Sequence, residues 1–64
     1  MLTSTSLGDR VKIDPGNRWD NYGDNPDSTV DGTIVAVESG WVLVEWDGLQ
    51  GQFNYRPFDL VPGV

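Results

Sequence analysis

The sequence predicts a small all-β domain, a barrel of four to five short antiparallel strands with one long loop near its start. Short stretches of alternating or β-branched apolar residues recur along the chain, and clusters of Gly, Pro, Asn and Asp separate them. No stretch has the apolar spacing of a helix for a useful length. The chain has 64 residues, which is enough for one domain. Short strands and tight turns favour closure into a barrel, because closure removes exposed strand edges.

The first half of the chain predicts a tail, one strand and the long loop. Residues 1–7 are polar and lack a pairing pattern, so we expect a flexible tail followed by a single domain over residues 8–64. The alternation over residues 9–13 predicts the first strand. Residues 14–31 have no periodicity and form one long loop. Because two large aromatic residues lie in this loop, we expect it to fold back onto the barrel.

The second half predicts the remaining strands. Residues 32–38, 41–46 and 50–55 are β-branched or aromatic stretches, and a tight-turn sequence follows each of the first two. A proline ends the third stretch, since it cannot donate to a strand ladder. Residues 58–60 suit a short 3-10 turn, and residues 60–61 can close the barrel as a brief last strand.

The two faces of the stretch 41–46 are unequal. Val42, Val44 and Trp46 share a wholly apolar face, which predicts that this face points into the core. Trp41 and Leu43 lie on the opposite face, outside the barrel or under the long loop. An exposed Trp41–Leu43 patch is a possible self-association surface, and the alternative function is that of a structural or assembly subunit that self-associates. The chain is expected to be a monomer or a weak homo-oligomer.

Several motifs carry a resemblance to a known family over residues 8–61. They are Gly8-Asp9-Arg10-Val11, the loop Trp19-Asp20-Asn21-Tyr22-Gly23-Asp24, Gly32-Thr33-Ile34-Val35, the strand Gly40-Trp41-Val42-Leu43-Val44-Glu45-Trp46-Asp47, Tyr55-Arg56 and Asp59-Leu60. In these motifs the chain resembles the Mib/Herc2 domain, a member of the SH3-like barrels. The resemblance implies an SH3-like barrel and a protein-binding or peptide-binding role. Tyr22 stands where the family has a second loop tryptophan, and Pro57-Phe58 is a shortened segment.

Charge and composition exclude several classes of function. Ten acidic residues oppose four basic ones, for a net charge of −6, which argues against nucleic acid as a partner. A small-barrel nucleic-acid binder using Arg10, Lys12 and Arg18 with stacking on Trp19 is the less favoured alternative. The chain has neither Cys nor His, which removes disulfides, the usual zinc ligands and the commonest catalytic bases and nucleophiles. We therefore predict a non-enzymatic protein without a cofactor.

The long loop is rich in aspartate. Asp20, Asp24, Asp27 and Asp31 offer oxygen ligands of the kind that calcium prefers, but their spacing does not fit a calcium-binding loop. Aspartate is also an ordinary turn residue that accepts local hydrogen bonds. We interpret the four as structural and predict no metal site.

Aromatic residues carry the main functional prediction. In an SH3-like barrel the first long loop lies against the last turn, which would bring two pairs of aromatics together and form a groove for an extended peptide. We expect a basic or proline-containing peptide, because the nearby loop aspartates would attract Lys or Arg side chains of the ligand. The candidate peptide-binding residues are Trp19, Tyr22, Asp20, Asp24, Tyr55 and Phe58. The alternative is that Trp19 and Tyr22 only pack the loop onto the barrel.

The remaining expectations concern Arg56 and the location of the protein. Arg56 is expected to pair with a loop aspartate such as Asp20 or Asp24. The start of the chain has no signal-peptide pattern, and no apolar run approaches the ~20 residues that span a bilayer. With no cysteine present, we expect a cytoplasmic protein whose partner is a protein or peptide.

Overall fold

Five antiparallel strands and one 3-10 turn make up the fold in the computed structural model, which describes residues 2–64. The elements are β1 (Arg10–Ile13), β2 (Gly32–Glu38), β3 (Trp41–Trp46), β4 (Phe53–Tyr55), the 3-10 turn (Pro57–Asp59) and β5 (Leu60–Pro62). The strands form one sheet in the order β4-β3-β2-β1-β5, so β5 returns to pair with β1. This small barrel-like, all-β fold with a lone 3-10 turn before the last strand confirms the predicted fold class. None of the described residues belongs to a helix that is long and apolar enough to cross a membrane.

The strand limits follow the sequence closely except in β4. This strand begins at Phe53, three residues later than residue 50, where the apolar pattern predicts its start. Gly48 and Gly51 have φ angles of 82° and 91°, a left-handed conformation that interrupts strand pairing. The connection between β3 and β4 is therefore a wider loop than a two-residue turn.

A register shift in β2 bends the sheet. The pairing of β2 with β3 changes between Ile34 and Ala36, which is the signature of a β-bulge. Before the bulge β2 also pairs with β1, through Gly32 and Thr33. The bulge thus lets one strand serve both halves of the barrel.

The core is formed by apolar side chains from all five strands. As predicted, Val42, Val44 and Trp46 point inward and are buried. The whole buried cluster comprises Val11, Ile13, Ile34, Val42, Val44, Trp46, Tyr55 and Leu60. Trp41 and Leu43 lie on the opposite face of β3 and are half-buried.

Gly32 makes room for the largest core residue. It faces Trp46 across β2 and β3, and a Cβ atom placed on it would lie 2.5 Å from Cε3 of Trp46 and 2.8 Å from Cγ1 of Val44. Real Cβ contacts are never so short. The absence of a side chain at position 32 therefore lets the indole ring pack closely against the backbone of β2.

The segment before β1 makes several contacts with the barrel. The Leu2 side chain packs on the core, and the Leu2 N–H donates to the Pro57 carbonyl at 3.3 Å. The Gly8 N–H donates to the Ile34 carbonyl at 2.8 Å. Met1 lies outside the described residues, and the flexibility of residues 1–7 stays a prediction.

Candidate functional site

The base of the long loop is fastened to the 3-10 turn by a buried carboxylate. Asp59 is 1% exposed, and its carboxylate accepts hydrogen bonds from Asn17 Nδ2 at 3.0 Å and from the Arg56 backbone N–H at 3.1 Å. The Asp14 N–H donates to the Asp59 carbonyl at 2.9 Å. The hydrophobic and turn patterns of the sequence do not indicate this role for Asp59. One sequence feature does indicate it: Asp59 lies three residues after Arg56, and Pro57 directly follows Arg56. This is the spacing at which an acidic side chain caps the start of a helical turn.

A second attachment holds the outer part of the loop through Tyr55. The Tyr55 hydroxyl accepts a hydrogen bond from the buried Trp46 Nε1–H at 2.9 Å and donates one to Oδ1 of Asn25. Asn25 in turn donates through Nδ2 to the Tyr22 carbonyl at 2.7 Å. Burial raises the pKa of Tyr55, and the nearby charge of Asp59 adds to the rise, while the hydrogen bond from Trp46 opposes it.

Two of the loop aspartates hold the loop in shape. Asp20 accepts from the Ser28 N–H at 2.9 Å and from the Gly16 N–H at 3.3 Å. Asp27 accepts from the N–H and the hydroxyl of Thr29, and these hydrogen bonds lower the pKa of Asp27. This is the structural role that we expected of the loop aspartates.

The other loop aspartates lie apart from these two. Asp24 is exposed, and its side chain makes no hydrogen bond within the described residues. Asp31 accepts from the N–H of Val64 at 3.2 Å, at the C-terminal end of the chain. Across residues 2–64 no three acidic side chains converge in a way that could hold a metal ion.

Two adjoining hollows, together called the groove, lie between the long loop and the barrel. The first hollow is an open depression with a volume of about 460 Å³ between Trp19 of the loop and Trp41 at the start of β3. The second hollow encloses about 230 Å³ on the β4 side of Trp19. Trp19, Asn54 and Tyr55 line both hollows. Trp19 therefore stands at their junction. The first is lined by Arg18, Trp19, Trp41, Asn54, Tyr55, Arg56 and Asp59. The second is lined by Trp19, Asn25, Gln52, Phe53, Asn54 and Tyr55.

The predicted site residues divide into two groups. Trp19 and Tyr55 come together in the groove, although Tyr55 is only 4% exposed and contributes mainly its edge. Tyr22 touches Trp19 edge-on, with ring centroids 6.0 Å apart, but it is 62% exposed and lines neither hollow. Phe58 is 54% exposed and also lies outside both hollows. Asp20 bonds inside the loop and Asp24 lies at its exposed tip, so the binding roles of all six stay predictions.

Arg56 differs from its expected pairing. Its Nη1 donates to the Gly40 carbonyl at 2.6 Å instead of pairing with Asp20 or Asp24. Gly40 has a φ angle of 83°, and a Cβ atom on it would lie 2.9 Å from Nη1. The lack of a side chain at Gly40 therefore leaves space for the guanidinium group of Arg56. The hydrogen bond to Gly40 holds this group beside Trp41, at the end of the first hollow.

Arg18, which the sequence analysis considered only for nucleic-acid binding, lines the same hollow. Its Cζ lies 4.8 Å from the centroid of the Trp19 ring, a cation–π contact. Trp41 was assigned to a self-association patch, yet it forms a wall of the first hollow. Leu43 lies on the same face of β3, opposite Asn54 of β4. Self-association through Trp41 and Leu43 stays a prediction.

Comparisons of the chain with protein-family models, with curated proteins and with solved structures found no match. The chemistry of the groove therefore carries the functional argument. It offers the indole rings of Trp19 and Trp41, side-chain amides from Gln52 and Asn54, and guanidinium groups. These groups suit reversible binding, because aromatic faces pack against apolar ligand atoms and amides orient a polar backbone.

Proposed function

We propose that this protein is a non-enzymatic binding module that recognises an extended peptide segment of a partner protein in the groove. The observation that carries the proposal is the position of Trp19, half-buried at the junction of two adjoining hollows. An extended peptide presents successive side chains to such a row of pockets. The volume of the first hollow, about 460 Å³, is in the range of small ligand sites, about 300–1,000 Å³.

The polar groups of the groove support a peptide as the ligand. Asn54 is exposed on β4, and its side-chain amide makes no hydrogen bond within residues 2–64, so it is available to a peptide backbone. The indole faces of Trp19 and Trp41 suit proline or other apolar side chains, which are common in extended recognition segments. The proposal agrees with the peptide-recognition role that the resemblance to the Mib/Herc2 domain implies.

The distribution of charge supports a protein partner over nucleic acid. Of the cations that a nucleic-acid binder would use, Arg10 is held by Asp47 in a two-pronged ion pair, which raises the pKa of Arg10 and lowers that of Asp47. The chain has ten acidic residues against four basic ones, and such a field repels phosphates. Because the chain contains no cysteine, we extend the proposal to a partner in the cytoplasm.

The test is an NMR titration of the isotope-labelled chain with a mixed library of capped hexapeptides. Binding in the groove should shift the backbone amides of residues 18–19 and 54–56 and the indole N–H signals of Trp19 and Trp41. The variant Trp19→Ala should lose these shifts. The matched control is Phe58→Ala, which removes an aromatic ring that is more exposed and lies outside both hollows.

Two results would count against the proposal. A folded chain whose amides do not move with any library pool would show that the groove is not a peptide site. Equal weakening by Trp19→Ala and Phe58→Ala would show that the contact surface is not confined to the groove and extends to the 3-10 turn.

A further inference from the structure

The groove has a different charge from the rest of the molecule. Two of the four basic residues, Arg18 and Arg56, line the first hollow of a chain whose net charge is −6. Within residues 2–64 neither forms an ion pair, whereas Arg10 does. Arginines in an acidic protein readily find carboxylates, so two unpaired ones at the same hollow indicate a site for an anionic group.

Both guanidinium groups keep donors available for a ligand. A guanidinium carries five N–H donors. Arg18 makes no hydrogen bond to another described residue through its side chain, and its contact is with the Trp19 ring. Arg56 uses Nη1 for the Gly40 carbonyl, which leaves donors on Nε and Nη2. The hydrogen bond to Gly40 also fixes where the remaining donors of Arg56 lie.

The one carboxylate in the first hollow does not compete for these donors. Asp59 is buried, and its two oxygens accept from Asn17 and from the backbone N–H of Arg56. The side chains of Arg18 and Arg56 do not bond to it. An incoming anion therefore meets two guanidinium groups that both still have unused donors.

No charged residue lines the second hollow, so the two ends of the groove differ in charge. Its polar groups are the side-chain amides of Asn25, Gln52 and Asn54 and the hydroxyl of Tyr55. Its apolar surface comes from Phe53 and Trp19. A ligand that spans both hollows would gain from a negative charge only at the end near Trp41. The other end of the ligand should be neutral.

We propose that the peptide ligand carries a carboxylate that binds in the first hollow between Arg18 and Arg56, with its neutral residues in the second hollow. This inference rests on the proposed function and names the chemistry of its ligand. The carboxylate belongs either to an Asp or Glu side chain or to the C-terminus of the peptide, and guanidinium groups bind both in the same two-pronged manner.

The surroundings limit how many charges the ligand carries. Asp20, Asp24 and Asp27 lie in the same loop as Arg18, and the whole chain is acidic. A polyanionic segment would be repelled by this field even if one of its charges fitted the hollow. We therefore expect a single carboxylate flanked by neutral residues.

The experiment uses three libraries of capped hexapeptides that are random in neutral residues and differ only at one central position, fixed as Glu, Gln or Lys. Dissociation constants come from the amide shifts of residues 18–19 and 54–56. The Glu library should bind roughly tenfold more tightly than the Gln library at low salt, the scale of one charge-assisted hydrogen bond. A fourth library with Gln at the centre and a free C-terminal acid separates a terminal carboxylate from a side-chain one.

Two variants with the same change in net charge sharpen the test. Arg18→Gln removes a groove cation that holds no other residue by hydrogen bonding, so the fold should be kept. Lys12→Gln removes a cation from β1, away from both hollows. Arg18→Gln should abolish the preference for Glu over Gln, and Lys12→Gln should leave it within about twofold, since distant surface charges are screened.

The possible outcomes separate this inference from the proposed function. If the Gln or Lys library binds as tightly as both carboxylate libraries, the peptide-binding function stands and the carboxylate inference is overturned. The same conclusion follows if Lys12→Gln weakens the Glu preference as much as Arg18→Gln does. If no library shifts any amide, the proposed function fails, and this inference fails with it.

Discussion

Replacing Tyr55 with phenylalanine should weaken both the core and the attachment of the long loop. The hydroxyl is the acceptor for the Trp46 indole N–H, and Trp46 is 2% exposed, so the substitution leaves a buried donor without a partner. An unsatisfied buried donor costs about 1–3 kcal/mol, and the lost hydrogen bond to Asn25 adds about 1 kcal/mol. We expect the free energy of unfolding to fall by about 2–4 kcal/mol.

That loss is large for a chain of this length. At about 0.05–0.15 kcal/mol per residue, the whole domain has a free energy of unfolding of roughly 3–10 kcal/mol. A loss of 2–4 kcal/mol should lower Tm by about 10–30 °C. Urea unfolding followed by tryptophan fluorescence measures the change, and hydrogen exchange over residues 19–30 should show that the loop has loosened. Tyr22→Phe is the matched control, because Tyr22 is exposed and its hydroxyl makes no hydrogen bond within the described residues.

The same variant should change the alkaline limit of stability. The pKa of Tyr55 is raised in the folded state, so the unfolded chain loses this proton first as pH rises. The contribution of Tyr55 is therefore complete below about pH 10, the pKa of a free tyrosine, and declines above it. Tyr55→Phe should lose this part of the decline.

One result would refute the reasoning about the Trp46 hydrogen bond. If Tyr55→Phe lowers the free energy of unfolding by less than about 0.5 kcal/mol, as little as Tyr22→Phe does, the Trp46 N–H has another acceptor.

Two further substitutions test the packing and the loop attachment. Gly32→Ala places a methyl group 2.5 Å from the Trp46 ring and should lower the free energy of unfolding by about 1–3 kcal/mol. Urea unfolding measures this change, and a neutral effect would mean that the ring can move aside. Asp59→Asn replaces one acceptor oxygen with an amide donor that faces Asn17 or the Arg56 N–H, so the free energy of unfolding should fall by about 1–3 kcal/mol. Hydrogen-exchange protection at residues 14–17 should also be lost. Unchanged protection there would show that the buried carboxylate does not hold the loop.

The barrel could be predicted from the sequence because its strands depend on local patterns. The inward face of Val42, Val44 and Trp46 was visible as strict alternation, and the turns were visible as glycine next to a polar residue. The late start of β4 was missed, since residues 50–52 look like a strand until the left-handed backbone of Gly51 is known. A glycine in such a position leaves no mark on hydrophobic periodicity.

The groove could be predicted only in part. Trp19 was expected near Tyr55 because the long loop of a barrel crosses the last turn. The places of Arg18, Trp41 and Arg56 depend on pairings across the sequence, such as the hydrogen bond from Arg56 to Gly40. One sequence does not reveal which of several loop residues such a side chain will meet.

The loop that carries Trp19 is bound to the barrel at two points, Asn17 near its base and Asn25 near its tip. Ordering one backbone residue costs about 1–2 kcal/mol of conformational entropy. Because the loop is already ordered in the folded protein, peptide binding does not have to order it again. Few contacts are available to a short peptide, and a preorganised surface lets more of their free energy appear as affinity. Association should then be limited by the diffusion and orientation of the peptide, without a slow step of loop closure.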